Sequence, residues 1–156
     1  MDNIYTLNIE RAVLSSILFD HDIIEDVLSI LKPTDFYLPA HQKVFASMIQ
    51  LQHEQMPIDE DFIRKRLNSK EVSDSILIEI LSANPISNTM AYVNEIKDGS
   101  IKRELVSLAT SIKKVAIEDE VNAMEAVDIV QNELYQITAQ GNADLKDMDT
   151  VIDSTI

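Results

Sequence analysis

Residues 101–137 read IKRELVSLATSIKKVAIEDEVNAMEAVDIVQNELYQI. In the first half Ile101, Leu105, Leu108, Ile112 and Val115 recur at intervals of 4, 3, 4 and 3, the apolar seam of a heptad-patterned helix. In the second half Val127, Val130, Leu134 and Ile137 recur at 3, 4 and 3. Between them Glu118 to Asn122 is polar apart from Val121, a turn. Two matched narrow seams joined by a short polar connection predict an antiparallel helical hairpin.

A narrow seam satisfies one neighbour. Ile117, Val121, Met124 and Ile129 lie off it, so the hairpin either folds back on the rest of the chain or projects and pairs with another chain. On the second reading Leu105, Leu108, Ile112, Val127, Val130 and Leu134 are the self-association candidates. At the tip Val115, Ile117, Val121 and Met124 stand among Glu118, Asp119 and Glu120. Apolar groups ringed by carboxylates suit a partner helix whose hydrophobic face is flanked by Lys or Arg.

Working outward, no proline occurs from Asn88 to Ile117, so the hairpin is expected over 87–139. Gly99 lies inside it, and a mid-helix glycine costs about 1 kcal/mol relative to Ala, which predicts a kink near Asp98-Gly99. Upstream, residues 1–86 read as short helices separated by punctuation, a globular head. The first helix, around residues 7–19, is expected to be capped by Asn8, with Glu10 and Arg11 outward. Asp22 is expected to cap a short helix over Ile23 to Leu31, which Pro33 stops. Thr34 to Tyr37 is a loop with two buriable rings, and Pro39 suits the first turn of the next helix. Asp59 caps a helix to Leu67, and Ser73 to Ala83 forms another. Downstream, 140–156 has little periodicity and reads as a linker towards a missing domain.

Composition agrees with an all-α class. Hydrophobic residues make up 46% of the 156, enough for a core, but aromatics are few and there is no Trp, so that core is aliphatic. Two glycines and four prolines are too few for a many-stranded fold. The net charge of −14 repels a polyanion, so direct DNA binding is not expected. Cysteine is absent, as a reducing cytoplasm allows. Neither a secretory signal nor a membrane-length apolar run is present.

The chemistry sought is missing. A P-loop needs two glycines five residues apart, followed by Lys and Ser or Thr, and the only glycines are Gly99 and Gly141. His21, His41 and His53 stand alone, without metal-ligand spacing. Asp147, Asp149 and Asp153 lack the glycine and closing glutamate of a calcium loop. No catalytic residue, cofactor or metal is therefore assigned.

Several short stretches, in order, carry a resemblance. Asn8 to Leu18 (NIERAVLSSIL) looks like the opening helix of DnaB-type replicative helicases. Leu31 to Tyr37 (LKPTDFY) followed by Ala40 to Phe45 (AHQKVF) is similar to that family's "P-x-D-F-Y…H-x-x-I-F" signature. Pro57-Ile58-Asp59 with Leu67 resembles its "P-I-D…L" step, and Ala91-Tyr92-Val93 with Ser100, Arg103 and Leu105 its entry into the hairpin. The ordered set covers about residues 8–116; the second hairpin helix matches in pattern only.

The resemblance implies the N-terminal domain of such a helicase. Its ATPase motor, with ATP and Mg, would lie beyond residue 156. In that family the N-terminal domains form a collar of paired subunits on a hexameric ring and recruit the C-terminal domain of primase; a helicase loader is a further partner it admits. The competing readings are the C-terminal helicase-binding domain of a primase, another all-α adaptor, and a small helical enzyme with a spatially assembled site. The Asp35-Phe36-Tyr37 and His41 set speaks against the first.

Overall fold

A computed structural model of the chain describes residues 3–154 except 69, 85 and 119, with side chains over 4–139. Among the described residues every regular element is a helix. In order these are α1 (Asn3–Phe19), a 3-10 turn (His21–Ile23), α2 (Ile24–Leu28), a second 3-10 turn (Pro33–Asp35), α3 (Pro39–His53), α4 (Glu60–Arg66), α5 (Asp74–Ser82), α6 (Thr89–Ile117) and α7 (Ala123–Ser154). They divide into two compact units, one ending at Ser100 and the other beginning at Ile101.

Local chemistry sets most of the boundaries. The Asp59 side chain accepts the Phe62 N–H at 2.9 Å and so caps α4. Asn88 accepts from the Ala91 N–H at 3.2 Å and Asn122 from the Glu125 N–H at 2.9 Å, starting α6 and α7. These are side-chain acceptors for amides that the first helical turn leaves unpaired. Pro39 opens α3, where no N–H is needed. α3 closes through Gln55 at φ 58, with the Met56 N–H reaching back to the Leu51 carbonyl at 2.9 Å. That left-handed closure usually falls to glycine.

Two local expectations are corrected. α1 starts at Asn3, so Asn8 is inside it and accepts from Arg11 Nη1 at 2.5 Å. Asp20, not Asp22, is the cap: its carboxylate accepts the Asp22 N–H at 3.1 Å and starts a 3-10 turn. α6 keeps its helical assignment through Gly99.

The first unit has one aliphatic core. Ile9, Val13, Leu14 and Ile17 of α1 meet Val44, Phe45, Met48 and Leu51 of α3, joined by Ile63, Leu77 and Ile80 of α4 and α5. Phe36 packs on Phe45 at 5.0 Å between ring centroids. Val93 and Ile96 belong to the same core, and Lys97 and Ser100 are buried. The first unit therefore takes in the start of α6, past the boundary expected at residue 86. The second unit's helix α7 extends to Ser154, so it includes residues 140–154 of the segment read as a linker; residues 155 and 156 lie outside the described residues.

Two polar clusters are built into the first unit. Glu10, expected outward, is fully buried. Its carboxylate accepts the Tyr37 N–H at 2.5 Å, the Leu38 N–H at 3.4 Å and His41 Nδ1 at 2.8 Å. It lies at the N-terminus of α3, where unpaired amides and the helix dipole favour an anion. The second cluster centres on Asp35, which accepts the Lys32 N–H and Ser100 Oγ, each at 2.7 Å, with Lys97 Nζ at 3.3 Å. Of the two rings after it, Phe36 is buried and Tyr37 exposed.

Candidate protein-interaction surface

The second unit is the hairpin expected from the heptad seams, and its side chains are far less covered than those of the first. Leu108 is the one large seam residue that is buried, at 7% exposure, while Leu105, Ile112, Val127 and Leu134 keep between 38% and 46%. Val130 and Ile137 are half-buried, as are Val115 and Val121. Ile117 and Met124, the other two tip candidates, are 69% and 70% exposed. The ten candidates therefore differ widely in burial. Leu108 is buried and Val130 half-buried. Leu105, Ile112, Val127 and Leu134 show part of their surface to solvent. Val115 and Val121 line a groove, and Ile117 and Met124 stand clear of it.

The two sides of the hairpin differ in chemistry. On one side an apolar groove of about 450 Å³ is lined by Ile112, Val115, Ala116, Val121, Ala126, Val127 and Val130, with Gln131 at its margin. On the other a groove of about 420 Å³ is lined by Glu104, Ser107, Ser111, Glu133 and Gln136 around Leu108 and Ile137. Ile112, Val127 and Val130 came from the pairing candidates, and Val115 and Val121 from the tip candidates, yet they surround one groove. The spacing put them on a shared stripe but could not show the stripe opening into a groove.

The sequence reading missed Tyr135 and Val106, both strongly exposed. Each sits one residue beyond a seam leucine, and that offset was the available signal.

The hairpin's described surface carries apolar and polar side chains but none of the catalytic groupings sought in the sequence. Its serines have no histidine within the second unit, since His21, His41 and His53 all lie in the first. Among the described residues no group of three or more His, Asp or Glu side chains is placed to hold a metal ion. None of the described helices is long and apolar enough to cross a membrane.

Comparison with known proteins gives the lineage. The model for the DnaB-like helicase N-terminal domain matches residues 2–98. The replicative DNA helicase DnaB of Helicobacter pylori strain J99 is 39% identical over 154 residues, covering 96% of this chain and 31% of the helicase. The chain thus spans about a third of the length of the curated relatives it matches. Two solved structures share the fold. The N-terminal domain of Helicobacter pylori DnaB helicase, described together with its interactions with primase, is 41% identical with a TM-score of 0.72, covering 76% of this chain and all of that one. The N-terminal domain of DnaB helicase from Mycobacterium tuberculosis is 29% identical with a TM-score of 0.75, covering 83% of this chain and 96% of that one. Stretches that carried the resemblance in the sequence are those that build the first unit's polar clusters, with Glu10 and His41 in one and Asp35 and Ser100 in the other. On the family model, the relatives and the solved structures together, the chain belongs to the family of DnaB-like helicase N-terminal domains.

Proposed function

We propose that this domain is the non-catalytic collar of a replicative DNA helicase, pairing subunits within a hexameric ring and recruiting the C-terminal domain of primase. ATP and Mg would be bound by a motor outside this segment, and the domain itself would use neither cofactor nor metal. A helicase loader would be a further partner of the assembled ring. The family match favours this reading over a primase domain or an unrelated adaptor.

The observation that carries the proposal is the hairpin's uncovered apolar surface: Leu105, Ile112, Val127 and Leu134 along its length, Ile117 and Met124 at its tip. Exposed aliphatic side chains gathered on one element mark an interaction site. The pairing role falls to the four along the length, with Leu108 and Val130 supporting them from within. The primase role falls to the tip, where Val115 and Val121 back the protruding Ile117 and Met124, and the neighbouring Glu118 and Glu120 favour a basic partner.

The test is to replace Ile117 and Met124 by Ser and measure binding of the primase C-terminal domain by calorimetry, with oligomeric state followed by sedimentation. Loss of about tenfold or more in primase affinity with unchanged self-association is the expected result, since truncating an interface anchor commonly costs more than ~1 kcal/mol. Unchanged primase binding with altered self-association would assign the tip to subunit pairing and move the primase surface elsewhere.

A further inference from the structure

In the first unit α1 and α5 run side by side. Ser15 Oγ donates to the Ala83 carbonyl at 2.9 Å, and Arg11 Nε lies 3.4 Å from Glu79 Oε2. Residues 11 and 15 of α1 thus meet 79 and 83 of α5, so the two helices are parallel. Between them opens a cleft of about 450 Å³ whose lining includes Asn8, Arg11, Ala12, Glu79, Ser82 and Asn84. All of these belong to the first unit, and none to the hairpin. The volume falls in the range of roughly 300–1,000 Å³ that ligand sites occupy.

Arg11 brings the cation to this cleft, and its hydrogen bonding is incomplete. Nη1 donates to Asn8 Oδ1 at 2.5 Å. Nε is buried and has no hydrogen-bond partner among the described residues. The Glu79 carboxylate beside it is near enough for attraction between charges but outside hydrogen-bond geometry. A buried donor without an acceptor is costly. The Nε–Nη2 edge of a guanidinium presents two parallel donors, which match the two oxygens of a carboxylate. Glu79 keeps 52% of its side chain in solvent, so its hold on Arg11 is weak, and a better-placed carboxylate can take its position at little cost.

The rest of the cleft bears on what carries that carboxylate. A carboxylate group alone fills only a small part of the volume. Asn8, whose Oδ1 is engaged by Arg11, keeps its Nδ2 donors, and exposed Ser82 and Asn84 at the rim add further donors and acceptors. Side-chain amides of this kind match the N–H and C=O groups of a peptide backbone. One guanidinium with Glu79 at its side balances a single negative charge, which suits a carboxylate better than a phosphate dianion. The net charge of −14 further opposes a polyanion.

We infer that the α1–α5 cleft is a docking site for an extended peptide segment of a partner protein, anchored by a Glu or Asp side chain. Arg11 takes that carboxylate side-on, Asn8 and Asn84 hold the backbone on either side of it, and Glu79 is the internal competitor that the incoming carboxylate displaces.

The test is a peptide titration of the full chain, labelled with nitrogen-15 and followed by NMR. The Arg11 Nε–H signal is identified by its loss in Arg11→Lys, and circular dichroism checks that each variant keeps the parent's helicity. N-acetyl-Ala-Glu-Ala-amide is expected to shift that signal to saturation with a Kd at or below about 5 mM, the scale of a few contacts. The peptide with Gln in place of Glu is expected to bind at least roughly tenfold more weakly, because it cannot form the charge-assisted pair. Glu79→Gln is expected to tighten binding of the glutamyl peptide about threefold or more by removing a charged competitor. Arg11→Lys is expected to weaken it about tenfold, read from the Asn8 and Asn84 side-chain amides, because an ammonium lacks the planar fork. An Arg11 signal unmoved by the glutamyl peptide up to about 20 mM, well past that affinity scale, overturns the inference. Equal binding of the Gln peptide, or a Glu79→Gln chain that binds no more tightly, also overturns it and leaves Arg11 and Glu79 as a plain surface ion pair. Tighter binding of N-acetyl-Ala-Ala, whose one carboxylate is its chain terminus, or of inorganic phosphate overturns the assignment to an acidic side chain.

Discussion

At the scale of single residues, two buried ionic clusters account for the first unit's least replaceable side chains. Glu10 satisfies three donors from the segment that leads into α3. Removing it leaves buried amides and an imidazole without an acceptor, a penalty of about 1–3 kcal/mol for each fully orphaned group. Glu10→Ala is therefore expected to lower the stability of the chain by about 3 kcal/mol or more in urea denaturation, and a loss under ~1 kcal/mol would show that the carboxylate is dispensable. The Asp35–Lys97 pair behaves differently. Buried pairs often add little net stability, but breaking one strands the survivor. Asp35→Asn is expected to cost about 2–4 kcal/mol, and the double change Asp35→Asn with Lys97→Met to recover at least about half of it, because no ammonium is then left unpaired. A double variant as unstable as Asp35→Asn alone would show that the cost lies in the Lys32 and Ser100 hydrogen bonds. At the surface, Arg66 beside Glu54 holds that carboxyl below its ordinary value through a hydrogen bond. Its contribution is present above the usual carboxylate range and is lost as the pH falls through the lowered value, and because the pair is exposed it is small.

At the scale of the element, the two positions Leu108 and Ile112 separate folding from association. They are neighbours on the α6 seam, yet Leu108 is buried inside the hairpin and Ile112 borders the apolar groove with 38% of its surface exposed. A carboxylate cannot be buried unpaired without several kcal/mol of cost. Leu108→Asp is expected to unwind the hairpin and lower the helical signal. Ile112→Asp is expected to keep that signal and abolish self-association in sedimentation. If both variants lose helicity equally, the groove side is part of the hairpin's own fold and is not an interface. The caps are legible at this scale too. Asn122→Ala removes the side-chain acceptor at the start of α7 and is expected to cost about 1 kcal/mol, read in thermal unfolding; no change would mean that the tertiary packing of α7 sets its start.

At the scale of the whole molecule, the charge of −14 bears on partners more than on the fold. The chain is expected to show no DNA binding at about 0.15 M salt, since its net negative charge repels a polyanion. A band shift with single- or double-stranded DNA under those conditions would reverse that. The sequence alone determined the helical class, the hairpin and its turn, the Asp59 and Pro39 helix starts and the absence of a phosphate-binding loop, because these rest on periodicity and on residue types acting within a turn or two of themselves. It also carried the family, through ordered short stretches whose structural purpose was not visible in them. Only the tertiary structure decided that Glu10 points inward, since its three donors lie 27 to 31 residues away along the chain. Only the tertiary structure decided that Asp35 binds Lys97 and Ser100, 62 and 65 residues away, drawing the start of α6 into the first unit. The division of one heptad seam into buried Leu108 and exposed Ile112 was likewise settled in three dimensions. A repeat of 3 and 4 marks a stripe on a helix, whereas the burial of each member depends on how closely the second helix approaches at that height.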